Sequence, residues 1–306
     1  LSIRRQRQMC IRDRLQEGVI DGASQLTVSA NFRWAGGDLR GPRNSKLVLS
    51  AGASAELDSP SATMHLFGRD LEVFGNVLAV QGILFIAPDS AVEIRPSGQL
   101  DVDGSLPFEI AGFGAVTNQN RFRKLGGSTF TVISAPFLNY GVAEFLAGIA
   151  RIDGYVQFGT TQINGGTLNS NESIVLVDGV LLSAPGVQTI DGSVQNLGAE
   201  IRPGGSGGYA DLRIQGTYNQ LPPASLVMEF NGTNPGVNAD RLTVVGVVNL
   251  DGTLRLLNPA GYNPPPASTY PLMVFESTFG SMFAMVNNAF AAVSYTHLTL
   301  PTNREV

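Results

Sequence analysis

The chain contains little of several residue types that carry chemistry or cross-link a fold. Its 306 residues include one cysteine, Cys10, two histidines, His65 and His297, and two lysines, Lys46 and Lys124. A single cysteine excludes an intrachain disulfide framework and a metal site built on several thiolates. Exposed helix faces normally use many lysines, so helix content should be very low. No run of 18 apolar residues occurs, so no segment is predicted to cross a membrane as a helix.

What the chain does contain is a large supply of apolar and turn-forming residues. Glycine occurs 36 times and proline 17 times, while hydrophobic residues make up 43% of the chain and charged residues 15%. This much apolar side chain can bury a large core, so the composition excludes a wholly disordered protein. The excess of glycine and proline indicates many turns.

The two ends differ from the rest of the chain in composition. Residues 1–14 hold five arginines and the only cysteine, residues 293–306 hold His297, and neither end contains glycine. Both strings resemble translated sequencing-adapter read-through, which implies that neither is native protein. The alternative is a basic N-terminal arm and a polar tail. Without the ends, 14 basic and 23 acidic residues leave a net charge of −9, which argues against nucleic acid as a partner.

Between residues 24 and 205, short apolar segments alternate with polar residues and end at Gly, Asn, Asp or Ser. Residues 71–74, 100–103 and 129–133 are examples. Short strands separated by frequent turns are typical of all-β proteins. No window keeps apolar residues at helical spacing long enough to predict a helix.

Several short turn sequences recur at shifting spacings. Residues 139–141 (NYG) resemble 196–198 (NLG), and 164–166 (NGG) form a looser third copy. Degenerate repetition predicts a β-solenoid, in which each coil buries its inner face by stacking on its neighbours. We expect the glycines at corners that need a positive φ. We expect the asparagines to hydrogen-bond from coil to coil in a ladder.

The sequence changes character near residue 206. Residues 203–208 are rich in glycine, and longer apolar segments such as 241–248 follow them. We therefore predict solenoid coils over 15–205 and a terminal section over 206–292 that forms capping or partly antiparallel β structure. A cover is expected because an exposed last coil is a template for aggregation.

Two stretches resemble a known group of proteins. Residues 32–41, FRWAGGDLRG, resemble the Trp-x-Gly-Gly-x-Leu-x-Gly opening of long Gly-rich repeat proteins that bacteria display or secrete. Residues 190–283 resemble the closing section of many such chains. The resemblance implies a right-handed parallel β-helix of autotransporter-passenger or haemagglutinin-like type. It also implies an extracellular location or a place at an outer-membrane-associated bacterial surface, and it transfers no catalytic motif.

Motifs for catalysis are weak. His65 lies alone among apolar residues, which favours a structural role. Ser206 lies in a flexible stretch and not at a strand-to-helix elbow. Glycine-rich stretches precede strands instead of helices, so no phosphate-binding loop is predicted. We therefore assign no catalytic residue, no cofactor-binding residue and no metal ligand.

Several carboxylates suggest an alternative function, that of an enzyme. Asp101 and Asp103 alternate on one strand, so their side chains should point to the same face about 6.5–7 Å apart and could share a cation or a sugar. Glu93 and Arg95 share a face of the preceding strand segment and could lie one coil or one face away from them. A carbohydrate-active enzyme would use such a cluster. The simpler interpretation of Asp103 before Gly104 is a turn.

Four aromatic residues near the turn sequences could stack on sugars. These residues are Trp34, Tyr140, Tyr155 and Tyr218. The alternative is that their rings cover the core, which the low aromatic content of 8% favours.

The sequence thus predicts a fragment of an exported bacterial surface β-solenoid with a structural or adhesive role and no catalysis of its own. The expected partners are host or environmental glycans or other surface proteins, and no cofactor is expected. The alternative is a β-helix polysaccharide lyase or glycosidase with a carboxylate cluster near Asp101 and Asp103. Such an enzyme needs a concave groove in which three or more carboxylate or arginine side chains converge.

Overall fold

The computed structural model describes residues 13–265, 268–278 and 280–288 and contains no helix among them. Its strands are parallel and stack as the coils of a β-solenoid, which confirms the predicted fold class. Within these residues there is no apolar helix of membrane-spanning length.

The chain divides into two compact units, Leu1–Glu172 and Ser173–Val306. The strands of the first unit are β1 (Asp13–Leu15), β2 (Val19–Ile20), β3 (Leu26–Val28), β4 (Asn31–Trp34), β5 (Gly37–Leu49), β6 (Ser54–Val73), β7 (Asn76–Ile86), β8 (Ala91–Ile94), β9 (Gln99–Val102), β10 (Phe108–Gly112), β11 (Ala115–Asn118), β12 (Arg121–Lys124), β13 (Phe130–Ile133), β14 (Phe137–Asn139), β15 (Val142–Phe145), β16 (Ile149–Ile152), β17 (Tyr155–Gln157), β18 (Thr160–Ile163) and β19 (Thr167–Asn169). Those of the second unit are β20 (Ile174–Leu176), β21 (Val180–Ser183), β22 (Gly186–Asp191), β23 (Val194–Asn196), β24 (Glu200–Arg202), β25 (Ala210–Ile214), β26 (Tyr218–Gln220), β27 (Ser225–Glu229), β28 (Arg241–Asn249), β29 (Thr253–Leu257), β30 (Met273–Thr278) and β31 (Met285–Asn288). The change of sequence character near residue 206 lies inside the second unit.

In the first unit each coil adds one strand to each of three parallel sheets, which we call A, B and C. Sheet A contains β9, β12, β15 and β18 in this order. Sheet B contains β10, β13, β16 and β19, and sheet C contains β8, β11, β14 and β17. The long strands β5, β6 and β7 run through corners and contribute to more than one sheet.

The second unit repeats the three-sheet arrangement. One sheet runs β21, β24, β27, β29 and β31, the next runs β22, β25, β28 and β30, and the third runs β20, β23, β26 and the end of β28. All these pairs are parallel. The one antiparallel contact among the described residues is an isolated bridge between Phe230 and Ala239. The parallel stacking therefore continues into the terminal section.

Inward and outward residues alternate along the strands. In β8, β9 and β11 every second residue is buried. Val77, Leu100 and Phe122 follow one another in register along an inner column and are at most 2% exposed. Each such side chain contributes about 1.5–3 kcal/mol by leaving water. Phe137 and Tyr155, from neighbouring coils, stack with 5.6 Å between ring centroids.

Coil length varies widely. Phe137 lies beside Tyr155, so this coil advances by 18 residues, whereas Thr253 lies beside Met285 and its coil advances by 32. Extra residues enter between the strands and at register shifts within the long pairs β5–β6, β6–β7 and β28–β30. The sequence repeats are degenerate for this reason.

One step of the predicted asparagine ladder is present in the first unit, between Asn118 and Asn139, whereas Asn196 in the second unit bonds Ala199 of its own turn. Asn118 Nδ2 donates to Asn139 Oδ1 at 2.8 Å and to the carbonyl oxygen of Val142 at 3.0 Å. Asn139 Nδ2 donates in turn to the carbonyl oxygen of Thr160 at 2.8 Å. Both asparagines are fully buried, so these bonds satisfy polar groups that would otherwise cost about 1–3 kcal/mol each.

We predicted that the glycines of the turn sequences are needed because their corners require a positive φ. This is right at Gly165 and wrong at Gly141 and Gly198. Gly165, in the middle of its turn sequence, has φ +91°, but the glycines in the third position of the turn sequences, Gly141, Gly166 and Gly198, do not have a positive φ. A Cβ atom on Gly141 would lie 2.4 Å from the carbonyl oxygen of Asn120, and one on Gly198 would lie 2.5 Å from that of Val177. These two glycines are needed because neighbouring coils approach closely at the corner.

This distinction predicts the effect of adding one methyl group. Gly141→Ala should lower the free energy of unfolding by about 1–3 kcal/mol, because the new atom overlaps the backbone of the next coil. Gly126→Ala is the matched control, since its Cβ would meet nothing closer than 3.6 Å and its φ is not positive. Denaturant unfolding of both variants measures the difference. Equal effects would contradict the close-approach explanation.

The predictions for the two ends fall largely outside the described residues, which begin at Asp13 and stop at Asn288. Asp13 and Arg14, from the string predicted to be non-native, lie in β1 and pair with Phe32 and Arg33 of β4.

Candidate functional site

The candidate carboxylate Asp101 is held in an ion pair between coils. It lies opposite Arg123 in the register of β9 and β12. Arg123 donates from Nε to Oδ1 at 2.8 Å and from Nη2 to Oδ2 at 2.6 Å. Gln99 Nε2 also donates to Oδ2, at 2.8 Å. Both carboxylate oxygens are therefore occupied by protein donors.

Asp103 lies after the end of β9, where Gly104 turns the chain with φ +78°. This is the simple turn that the sequence allowed. The side chain of Lys124 is fully buried and lies close enough to Asp103 for the two charges to interact. Burial lowers the pKa of Lys124, and the negative charge of Asp103 acts in the opposite direction.

Glu93 and Arg95 do not join Asp101. They belong to the strand and corner of sheet C, whereas Asp101 lies on sheet A. Arg95 pairs with Glu93 and with Glu72, and Lys46 Nζ reaches Glu72 at 2.7 Å. Glu93 and Arg95 therefore lie one face away from Asp101, which is one of the two placements that the sequence allowed, because consecutive strands of one coil belong to different sheets.

The charges beside Asp101 are also paired. Arg121 donates from Nε and Nη2 to the two oxygens of Glu144, at 2.6 and 3.0 Å. Two carboxylates and two arginines thus lie on three neighbouring strands of sheet A, in two forked pairs. Such an arrangement stabilises the contact between coils.

Three of the four candidate aromatic residues belong to the core. Trp34, Tyr155 and Tyr218 are 0% exposed. The hydroxyl groups of Tyr155 and Tyr218 bond Thr161 Oγ1 and Gln220 Oε1, each at 2.6 Å. Burial raises the pKa of both tyrosines. The interpretation of these three rings as cover for the core is confirmed, and they cannot form a glycan platform.

Tyr140 is the exception. Its side chain is half exposed and stacks on Phe158 of the next coil, with 4.6 Å between ring centroids and 6° between ring planes. The two rings lie at the same corner because Asn139 and Gln157 are in register.

An aromatic cluster on the outside of sheet B was not predicted. His65 stacks on Phe67 at 5.3 Å and meets Phe85 edge-on at 5.8 Å. Its Nδ1 contacts Asp38 Oδ1 at 2.9 Å, and the Arg40 guanidinium lies 5.4 Å from the centre of the Phe67 ring. The sequence signal for this cluster was the alternation of residues 64–67, in which the buried Met64 and Leu66 alternate with the outward-facing His65 and Phe67.

Beside this cluster lies an open depression of about 480 Å³. It is found where β7, β10 and β13 end and is lined by Phe85, Gly112, Phe113, Ser134 and Pro136. Phe113 is 78% exposed, the largest fraction among the exposed hydrophobic side chains of the described residues.

The second unit holds a buried acidic pair that the sequence did not single out. Asp240 accepts the backbone N–H groups of Ala210 and Glu229, at 2.9 and 2.7 Å. Glu229 pairs with Arg202 and accepts the N–H of Gly207 at 2.9 Å. Both carboxylates are 1% exposed. They therefore tie the loop around 203–209 to β27 and are closed to a substrate.

The pKa of Asp240 is raised to about 8. Burial is the main cause, and the charge of Glu229 adds to it, while the two N–H groups and Arg202 act in the opposite direction. The pKa of Asp211 is shifted in the opposite direction. Burial alone would raise the pKa of Asp211, but hydrogen bonds from Arg241, Thr243 and Arg213 lower it below its ordinary value.

In the part of the chain that the structure describes, no three His, Cys, Asp or Glu side chains are grouped to hold a metal ion. Comparisons of the sequence with protein-family models and with curated proteins, and of the structure with solved structures, find no match.

Asp240 predicts a pH dependence of stability. The folded protein holds this proton up to about pH 8, whereas the unfolded chain releases it near 3.8. Ionisation of Asp240 therefore opposes folding progressively as pH rises through this window. The stability advantage of the wild type over Asp240→Asn should shrink between pH 5 and 8 in urea titrations.

The control for this comparison is Asp251→Asn, at a turn where the Asp251 carboxylate accepts the N–H of Gly252 at 2.7 Å. A wild-type advantage over Asp240→Asn that stays constant or grows with pH would contradict the assignment.

Proposed function

We propose that the chain is part of an exported bacterial surface β-solenoid with a structural and adhesive role. The resemblance of residues 32–41 and 190–283 to displayed Gly-rich repeat proteins supports export. The parallel solenoid supports a structural role, since every coil adds the same three strands and extends the lateral surface.

The observation that carries the non-catalytic part of the proposal is the pairing of Asp101. General acid–base catalysis needs a carboxyl group that can exchange a proton with a substrate. Asp101 instead faces the fork of Arg123, and neighbouring Glu144 faces that of Arg121. These four charges hold coils together across sheet A.

The adhesive part of the proposal rests on aromatic side chains that the outer surface leaves exposed. Contiguous apolar surface that is exposed marks contact sites. In the first unit Phe85 contacts the rings of His65 and Phe67, and it lines one depression with Phe113, which is 78% exposed. Surface contact through such rings fits glycans or other surface proteins as partners.

The proposal predicts adhesion without depolymerisation. Beads coated with the full chain should adhere to a polysaccharide-coated surface, and soluble chain should compete for it. The same preparation should release no new reducing ends from pectin, xylan or β-glucan. Asp101→Asn should adhere as the wild type does, because Asp101 has no contact with a ligand in this account.

For export, intact cells that express the gene with its native flanking sequence should bind antibody raised against the chain. Labelling only after lysis would contradict export. Release of reducing ends by the wild type, lost in Asp101→Asn, would contradict the adhesive role and support a carbohydrate-active enzyme.

A further inference from the structure

The depression at the end of β7, β10 and β13 is an open and mainly apolar concavity. It is lined by Phe85, Gly112, Phe113 and Pro136, and its one polar lining side chain is that of Ser134. Binding sites for small ligands are commonly concave and apolar, with few polar groups. We propose that this depression binds a pyranose unit of a neutral polysaccharide, which deepens the adhesive function proposed above and rests on it.

One lining position of the depression carries no side chain. Gly112 has φ +114°, and a Cβ there would lie 2.1 Å from the carbonyl oxygen of Ile86 in the preceding coil. The preceding coil therefore excludes a side chain at this position, and the depression has bare backbone there.

The Phe85 ring is held in place before any ligand arrives. His65 meets it edge-on at 5.8 Å, and Phe67 lies 6.2 Å from it between centroids. His65 is itself oriented by Asp38 at 2.9 Å. A fixed ring loses little conformational entropy on binding.

The lining selects a neutral ligand. No charged side chain lines the depression, and the nearby side chain of Asp38 is already in contact with Arg40 and His65. An ionised ligand would lose water without gaining a partner. A pyranose offers an apolar C–H face to the rings and hydroxyl groups to Ser134, whose Oγ makes only a long contact of 3.5 Å with the Ile110 carbonyl oxygen.

A second copy of the chain is a poorer occupant. Five residues line the depression, whereas a stable protein interface uses about 20–30 residues on each side. The site matches one or two sugar units in size. Because it opens on a lateral face, a polysaccharide could pass through it without ending there.

The test is titration calorimetry of the full chain with cellohexaose, mannohexaose and chitohexaose, and with tetragalacturonate as the anionic probe. At least one neutral probe should bind, and tetragalacturonate should not. Phe113→Ala should weaken binding at least tenfold, because it removes one wall. Leu106→Ala removes an exposed apolar side chain that does not line the depression and should change affinity less than twofold.

Several results would overturn the site. These are no binding of any neutral hexasaccharide, equal losses in the two variants, or a dimer in sedimentation that Phe113→Ala abolishes. Bead adhesion of Phe113→Ala separates the two proposals. Adhesion that survives while the site fails leaves the adhesive function standing, whereas wild-type beads that never adhere remove that function itself.

Discussion

The register between parallel coils is the constraint on which the rest of this protein depends. Every strand finds its hydrogen-bonding partner one coil away, so the register decides what each side chain meets. A slip of one residue would turn the inner residues of a strand outward. The buried contact between Asn118 and Asn139 and the close approach at Gly141 both disfavour such a slip.

The same register organises the outer charges. Arg123 meets Asp101 because sheet A places residues 22 positions apart side by side, and Arg121 reaches diagonally to Glu144, two residues beyond its own register partner Val142. Each pair spans two coils, so a charge that could serve chemistry in isolation stabilises the stack. What the surface then offers to a partner is shape and exposed rings.

The sequence was sufficient for the fold class and for several local features. Alternation along residues 71–74 and 100–103 predicts strands, and the recurring asparagines predict a ladder. The partners of individual residues could not be predicted, because coil length varies from 18 to 32 residues. Without the register, Asp101 has no visible link to Arg123, and the sequence does not decide whether Glu93 lies one coil or one face away from it.

The sequence also did not reveal which aromatic side chains are exposed. Tyr155 and Tyr218 each start a strand with an inward residue, which short strands do not reveal. Phe113 lies just past the end of β10, where alternation no longer decides which way a ring points. The exposed cluster on sheet B therefore became evident only from the stacking of β6 and β7.

Cysteine cross-linking tests the register most directly. Leu138 and Val156 lie opposite each other on β14 and β17, and both are half-buried outward positions. Adjacent strands are about 4.8 Å apart, within reach of a disulfide. In a Cys10→Ser background, Leu138→Cys with Val156→Cys should form a disulfide on mild oxidation, and Leu138→Cys with Thr160→Cys should not. Free thiols in the first pair, or equal cross-linking in both, would contradict the coil register.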